Sequence, residues 1–224
     1  MALKDFAIAK PKPLPVILLA DVSGSMADDG KIEALNASIL DMLESFSKES
    51  RLRAEIQVSI ITFGGEAKIH LPLTPVHEIG TIEPFEADGG TPIGAALALA
   101  CQMVEDKNAI PSRSCRPAII LVSDGYPTDA WESNFKDLCD SERAQRATRF
   151  AMAIGADADE TMLKTFVNDR EAPVFHANTA RDIHRFFRAV TMSVSSRSQK
   201  QNPDETEPFI IPQQSEDDFD LDFE

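Results

Sequence analysis

Several things that would settle the class of this 224-residue chain at once are scarce in it. There are three cysteines, Cys101, Cys115 and Cys139, far apart and with no CxxC pair. So odd and scattered a set supports neither a disulfide framework nor a thiolate metal cluster, and it suits a reducing compartment. The apolar run Val16–Ala20 is far too short to cross a bilayer. The opening residues, MALKDFAIAKPKPLP, hold no continuous apolar segment of the kind that heads a secretory signal, so a cytoplasmic location is expected. Basic residues are few: 22 Lys and Arg stand against 37 Asp and Glu, a net charge of −15. Phosphate backbones and anionic bilayers are held by clustered Lys and Arg, so neither nucleic acid nor a membrane is an expected partner. Tyr and Trp occur once each, as Tyr126 and Trp131, close together.

What is present suits one large α/β domain, with an ordinary apolar share of 43%. Residues 1–13 read as a lead-in, punctuated by Pro11 and Pro13. Residues 14–195 read as the domain. Residues 196–224 hold nine acids against Arg197 and Lys200 and read as an acidic, disordered tail.

Within the domain, "PVILLA" predicts a buried central strand. "KIEALNASILDMLESFSKES" repeats apolar residues at helical spacing after an Asp28-Asp29-Gly30 turn. "AEIQVSIITF" and "EAKIHLPLTP", joined across Gly64-Gly65, predict an antiparallel hairpin. Then come a helix in "TPIGAALALACQMVED", with Pro92 in its first turn, a strand in "RPAIILVSDG" and a helix in "DAWESNFKDLCDSE". A strand in "RATRFAMAIG", a helix in "DETMLKTFVND", a short strand in "PVFHA" and a closing helix follow. The alternation predicts a three-layer α/β sandwich: a mostly parallel sheet, one antiparallel edge strand, and helices on both faces.

Polar residues cluster where these apolar segments stop. Asp21, Ser23 and Ser25 alternate after the first strand. Thr91 sits in "DGGTPIG" before the second helix, and Asp124 follows "AIILVS". Taken alone, Asp21-Val22-Ser23-Gly24-Ser25 also suits a turn that caps the next helix. In a parallel sheet, however, loops at the carboxyl ends of strands share one edge, where ligands bind. Two carboxylates and three hydroxyls form an all-oxygen donor set suited to Mg²⁺, with Ca²⁺ or Mn²⁺ as alternatives. Asp28, Asp29 and Asp88 read as turn chemistry.

The ordered set DxSxS, Thr, Asp resembles the metal-ion-dependent adhesion site of the von Willebrand factor A domain family, over about residues 14–195. That resemblance implies a protein-interaction module. In it the hydroxyls of Ser23, Ser25 and Thr91 would touch a divalent cation, the carboxylates of Asp21 and Asp124 would act largely through water, and a partner protein would supply a further carboxylate. "ADVSGSM", "GGTPIGAAL" and "LVSDGYPTDAW" are similar to bacterial tellurium-resistance TerY-type members. This implies an intracellular, phosphorylation-linked stress system with a PP2C-type phosphatase and a protein kinase as partners.

Tyr126 and Trp131 follow Asp124 and suit either local packing or a rim for a protein partner. Thr206, among Asp204, Glu205 and Glu207, is a candidate phosphosite. Enzyme readings fare worse. A dehalogenase-type phosphotransferase needs a second acid at position 23, where Ser stands. "GGTPIGAA" lacks the Lys-Ser/Thr ending of a phosphate loop, and no GxSxG surrounds a serine. No catalysis is therefore expected. A scaffold whose cation merely stiffens its loops is the other alternative.

Overall fold

Every residue of β1 (Lys12–Asp21) after Lys12 is buried, so this strand must be covered on both faces. Leu14, Val16, Leu18 and Ala20 point into one apolar cluster, and Ile17 and Leu19 into another, as the two-residue period of a strand requires. The structure, a computed structural model, describes residues 11–49, 53–167 and 173–205. Thr206 and the rest of the acidic segment lie outside them.

β1 is flanked by β2 (Ala54–Gly64) and β4 (Ala118–Ser123) in a sheet of order β3-β2-β1-β4-β5-β6. β5 (Thr148–Ile154) and β6 (Phe175–Ala177) extend it in parallel. β3 (Glu66–Pro75) pairs antiparallel with β2 at the opposite edge. This is the expected α/β sandwich with one antiparallel edge strand. α1 (Lys31–Ser47) and α6 (Ala180–Gln199) cover one face, burying Leu35, Ile39, Phe46, Phe186 and Phe187. α2 (Ile93–Glu105), α3 (Trp131–Asp140) and α5 (Glu160–Phe166) cover the other with Leu97, Leu138 and Phe166. Each such side chain contributes about 1.5–3 kcal/mol on leaving water.

Three local features differ from the sequence reading. Pro92 precedes α2 as its cap residue instead of lying within its first turn. The helix predicted through "DSE" stops at Asp140, because Ser141 is extended (φ −69°, ψ 118°) and its hydroxyl accepts the Ala144 amide to start α4 (Glu142–Gln145). α6 runs on to Gln199, past the expected domain end. Arg197 is buried there, donating from Nε to Pro203 O (3.1 Å) and from Nη2 to Arg116 O (2.7 Å). Residues 196–205 thus pack on the domain, held by an arginine that composition alone would have left in solvent.

Loop 88–90 is laced to the end of β1 and to the hairpin by backbone bonds: Asp88 N to Val22 O (2.9 Å), Gly24 N to Gly89 O (2.9 Å) and Gly65 N to Gly90 O (2.8 Å). A Cβ on Gly64 would stand 2.3 Å from Val22 O and 2.7 Å from Asp88 O, both rigid backbone. Gly64→Ala therefore forces these loops apart. It should cost about 1–3 kcal/mol, lowering Tm by roughly 5 °C in a thermal melt.

Candidate functional site

The sheet order creates a switch point. From β1 the chain crosses to β2 on one side and later returns to β4 on the other, which opens a crevice at the carboxyl ends of β1 and β4. Asp21 is the last residue of β1, and Ser123-Asp124 closes β4 beside it. Asp21, Ser23, Thr91 and Asp124 are buried, and Ser25 is at the surface.

A continuous hydrogen-bonded chain joins four of these five. Ser23 N donates to Asp21 Oδ1 (2.8 Å), the Ser23 and Ser25 hydroxyls are 3.2 Å apart, and Ser25 Oγ donates to Asp124 Oδ1 (2.7 Å). Thr91 arrives from the laced loop, and its Oγ1 lies 3.5 Å from where a Cβ on Gly125 would stand. The bare Gly125 lets that hydroxyl sit against the Asp124 loop. The structure thus brings all five predicted residues to one edge. Asp28, Asp29 and Asp88 serve turns: Asp29 has φ 56°, and Asp88 Oδ1 accepts its neighbour's amide.

Three contributors escaped the sequence reading. Ser123 Oγ donates to Asp21 Oδ2 at 2.6 Å. Lys31 Nζ pairs with Asp124 Oδ2 at 2.9 Å and reaches Ser25 O at 3.3 Å. A lysine opening a helix opposes the helix dipole, and that local misfit was the available signal for Lys31. Asp129 accepts the amides of Gly94 and Ala95 (2.9 and 2.8 Å), capping α2 from the loop after β4. Its neighbour Thr128 trades backbone and side-chain bonds with Thr91. No sequence signal links those positions.

The two carboxylates differ electrically. Asp124 has an ammonium against it, whereas Asp21 is bonded only to neutral donors among the described residues. Burial therefore pushes the Asp21 carboxyl up to about 6, against the pull of the Ser123 and Ser23 hydrogen bonds. Tyr126 is exposed (65%), while Trp131 opens α3 and packs on Phe135 with ring centroids 5.7 Å apart. The histidines are engaged elsewhere: His184 with Ser38, His176 with Glu160, His77 with Glu78 and His70 edge-on to Phe85.

Among the described residues no three His, Cys, Asp or Glu side chains gather into a metal-binding cluster. Any cation held at this edge would therefore depend on hydroxyls beside the two carboxylates. The all-oxygen set fits a hard divalent ion, and the undercompensated charge of Asp21 favours one.

The sequence profile of the von Willebrand factor type A domain matches residues 16–189. The chain belongs to the von Willebrand factor type A domain family. As members of this family do, it shares the fold of modules that bind partners through a metal-ion-dependent adhesion site. It is 29% identical over 173 residues to human inter-alpha-trypsin inhibitor heavy chain H6, covering 69% of this chain and 13% of that protein. Among solved structures, a von Willebrand factor type A protein from Catenulispora acidiphila superposes with TM-score 0.63 at 18% identity, covering 82% of this chain and 42% of that one. Proximal thread matrix protein 1 of the mussel byssus, with a zinc-occupied MIDAS motif, superposes with TM-score 0.60 at 16% identity, covering 81% and 48%. The chain thus spans about an eighth of the human relative and a little under half of the two solved structures. Among the described residues no helix is long and apolar enough to cross a membrane.

The pH dependence of metal-free stability follows from Asp21. Its folded-state pKa of about 6 exceeds the ordinary carboxyl value of 3.8, so the folded state binds the extra proton. Stability is retained below about pH 4 and falls as pH rises through about 6. Asp21→Asn removes the charge while its Oδ1 still accepts the Ser23 amide and its Nδ2 can donate to the Ser123 hydroxyl in place of the present bond. In urea unfolding with EDTA, its stability relative to the parent should grow by about 2–3 kcal/mol between about pH 4 and pH 7.

Proposed function

We propose that Asp21, Ser23, Ser25, Thr91 and Asp124 hold a divalent cation, Mg²⁺ in the cell, and that the domain thereby recruits an acidic side chain of a partner protein. The carrying observation is the convergence, at the sheet's switch point, of two buried carboxylates and three hydroxyls from three separate loops. When bound, such an ion supplies an electrophilic position for an outside carboxylate. Ser23, Ser25 and Thr91 present neutral oxygens that leave most of its charge uncompensated. Asp21 and Asp124 supply the negative charge that retains it. Tyr126, exposed beside Asp124, offers aromatic surface at the rim.

The TerY-type resemblance of "ADVSGSM", "GGTPIGAAL" and "LVSDGYPTDAW" supports a cytoplasmic role in a stress system, with a PP2C-type phosphatase and a protein kinase as the partners to try first. Thr206 is the position where that kinase would act, which phosphopeptide mass spectrometry after incubation with it would detect.

Partner capture from the native cell should succeed with Mg²⁺ and fail with EDTA. It should also fail with Thr91→Ala, whose circular dichroism should match the parent. Capture unaffected by both EDTA and Thr91→Ala would refute the carboxylate-socket mechanism. Lys31 opposes the cation, since its ammonium lies against one of the carboxylates. Lys31→Met should therefore tighten Mn²⁺ binding by about tenfold, read by titration calorimetry. An unchanged affinity would mean that the ammonium leaves Asp124 without cost.

A further inference from the structure

At the opposite pole from the candidate site, a groove of about 1290 Å³ runs along the amino ends of β1, β4 and β5. Lys12, Lys107, Arg113, Arg116, Arg143 and Arg146 line it, against only Glu105, Glu142 and Asp204. Six of the 22 basic residues of a chain with net charge −15 are thus gathered in one place. They come from separate stretches, so no run of basic sequence announces them. Two of the three acids are engaged: Glu105 accepts the Ser141 hydroxyl, and Asp204 Oδ1 accepts the Arg116 amide at 2.6 Å. Lys107, Arg113 and Arg146 make no ion pair among the described residues, and Arg113, Arg146 and Lys107 are exposed.

The chain itself leads an acidic segment to this groove. Pro203 is buried and accepts from Arg197, and Asp204 is pinned on the groove wall by Arg116. From there residues 206–224 follow, with seven acids and no Lys or Arg. Phe219, Leu221 and Phe223 alternate with Asp218, Asp220 and Asp222, a spacing that in an extended segment separates carboxylates from apolar groups on two sides. The groove offers both kinds of partner, since half-buried Pro111 lies beside the arginines on its lining.

We propose that the groove is the docking site of the chain's own acidic segment, residues 216–224, held by Arg113, Arg146 and Lys107. Arg–carboxylate pairs are the strong, directional form of such contacts. A link of about ten residues reaches at most about 35 Å, and tethering from the rim raises the effective concentration to about the millimolar range. A free polyanion lacks that advantage and would also meet the net charge of the rest of the molecule. The ten residues of β1 hold the groove about 30 Å from Asp21, so docking there leaves the candidate cation site open to a partner.

Zero-length carbodiimide cross-linking of the full chain, followed by peptide mapping, tests this. Carboxylates of residues 216–224 should link to Lys107 and Lys12 at least tenfold more than to Lys68, an exposed lysine of β3. A mixture of unlabelled and ¹⁵N-labelled chains should give links within one chain. The excess should vanish in about 1 M salt, where the Debye length is about 3 Å. It should also vanish in Arg113→Glu/Arg146→Glu, and in Asp218→Asn/Asp220→Asn/Asp222→Asn, which changes none of the described residues. Links to Lys107 and Lys12 no more frequent than to Lys68 would overturn the proposal. Links found only between differently labelled chains would overturn it in favour of a second copy as the occupant.

Discussion

Asp21 carries its carboxylate fully buried, bonded to the Ser23 amide and the Ser123 hydroxyl and to no cation among the described residues. A buried charge with only neutral hydrogen bonds costs several kcal/mol unless something compensates it. The arrangement at this edge follows from that constraint. Hydroxyls at positions 23, 25 and 123 face the two carboxylates, and Lys31 is spent on the second one. The remaining imbalance at Asp21 is the feature that would favour a cation at the proposed site. The loops that create it are rigid because they meet backbone to backbone at Gly24, Gly64 and Gly65.

The fold was legible in the sequence wherever period and length agreed. β1, β4 and β5 are unbroken apolar runs, as doubly covered strands must be. Gly64-Gly65 marked the one antiparallel pairing among the described residues, and the structure closes the hairpin there. What escaped notice were features in which one segment depends on another. Ser141 interrupts a helix because its hydroxyl captures an amide three residues on. α6 outlasts its apolar stripe because Arg197 finds two carbonyls, one of them on the segment before β4.

The candidate site divides in the same way. Asp21, Ser23 and Ser25 were readable from their alternation, and Thr91 and Asp124 from their places after apolar segments. Ser123, Lys31 and Asp129 act through distances that spacing does not encode, spanning 102, 93 and 35 positions. The basic groove is the extreme case, since a composition of −15 conceals a local excess of positive charge assembled by folding.

Asp129 gives the molecule a mechanical property. Its two oxygens grip the first free amides of α2, and Thr128 grips Thr91, so the segment after β4 and the front of α2 are one part. A ligand pulling outward on the Asp124 loop would load that part along the axis of a helix seated on the sheet. Tension at the rim would then be shared with the apolar layer beneath α2 and α3 instead of falling on one loop.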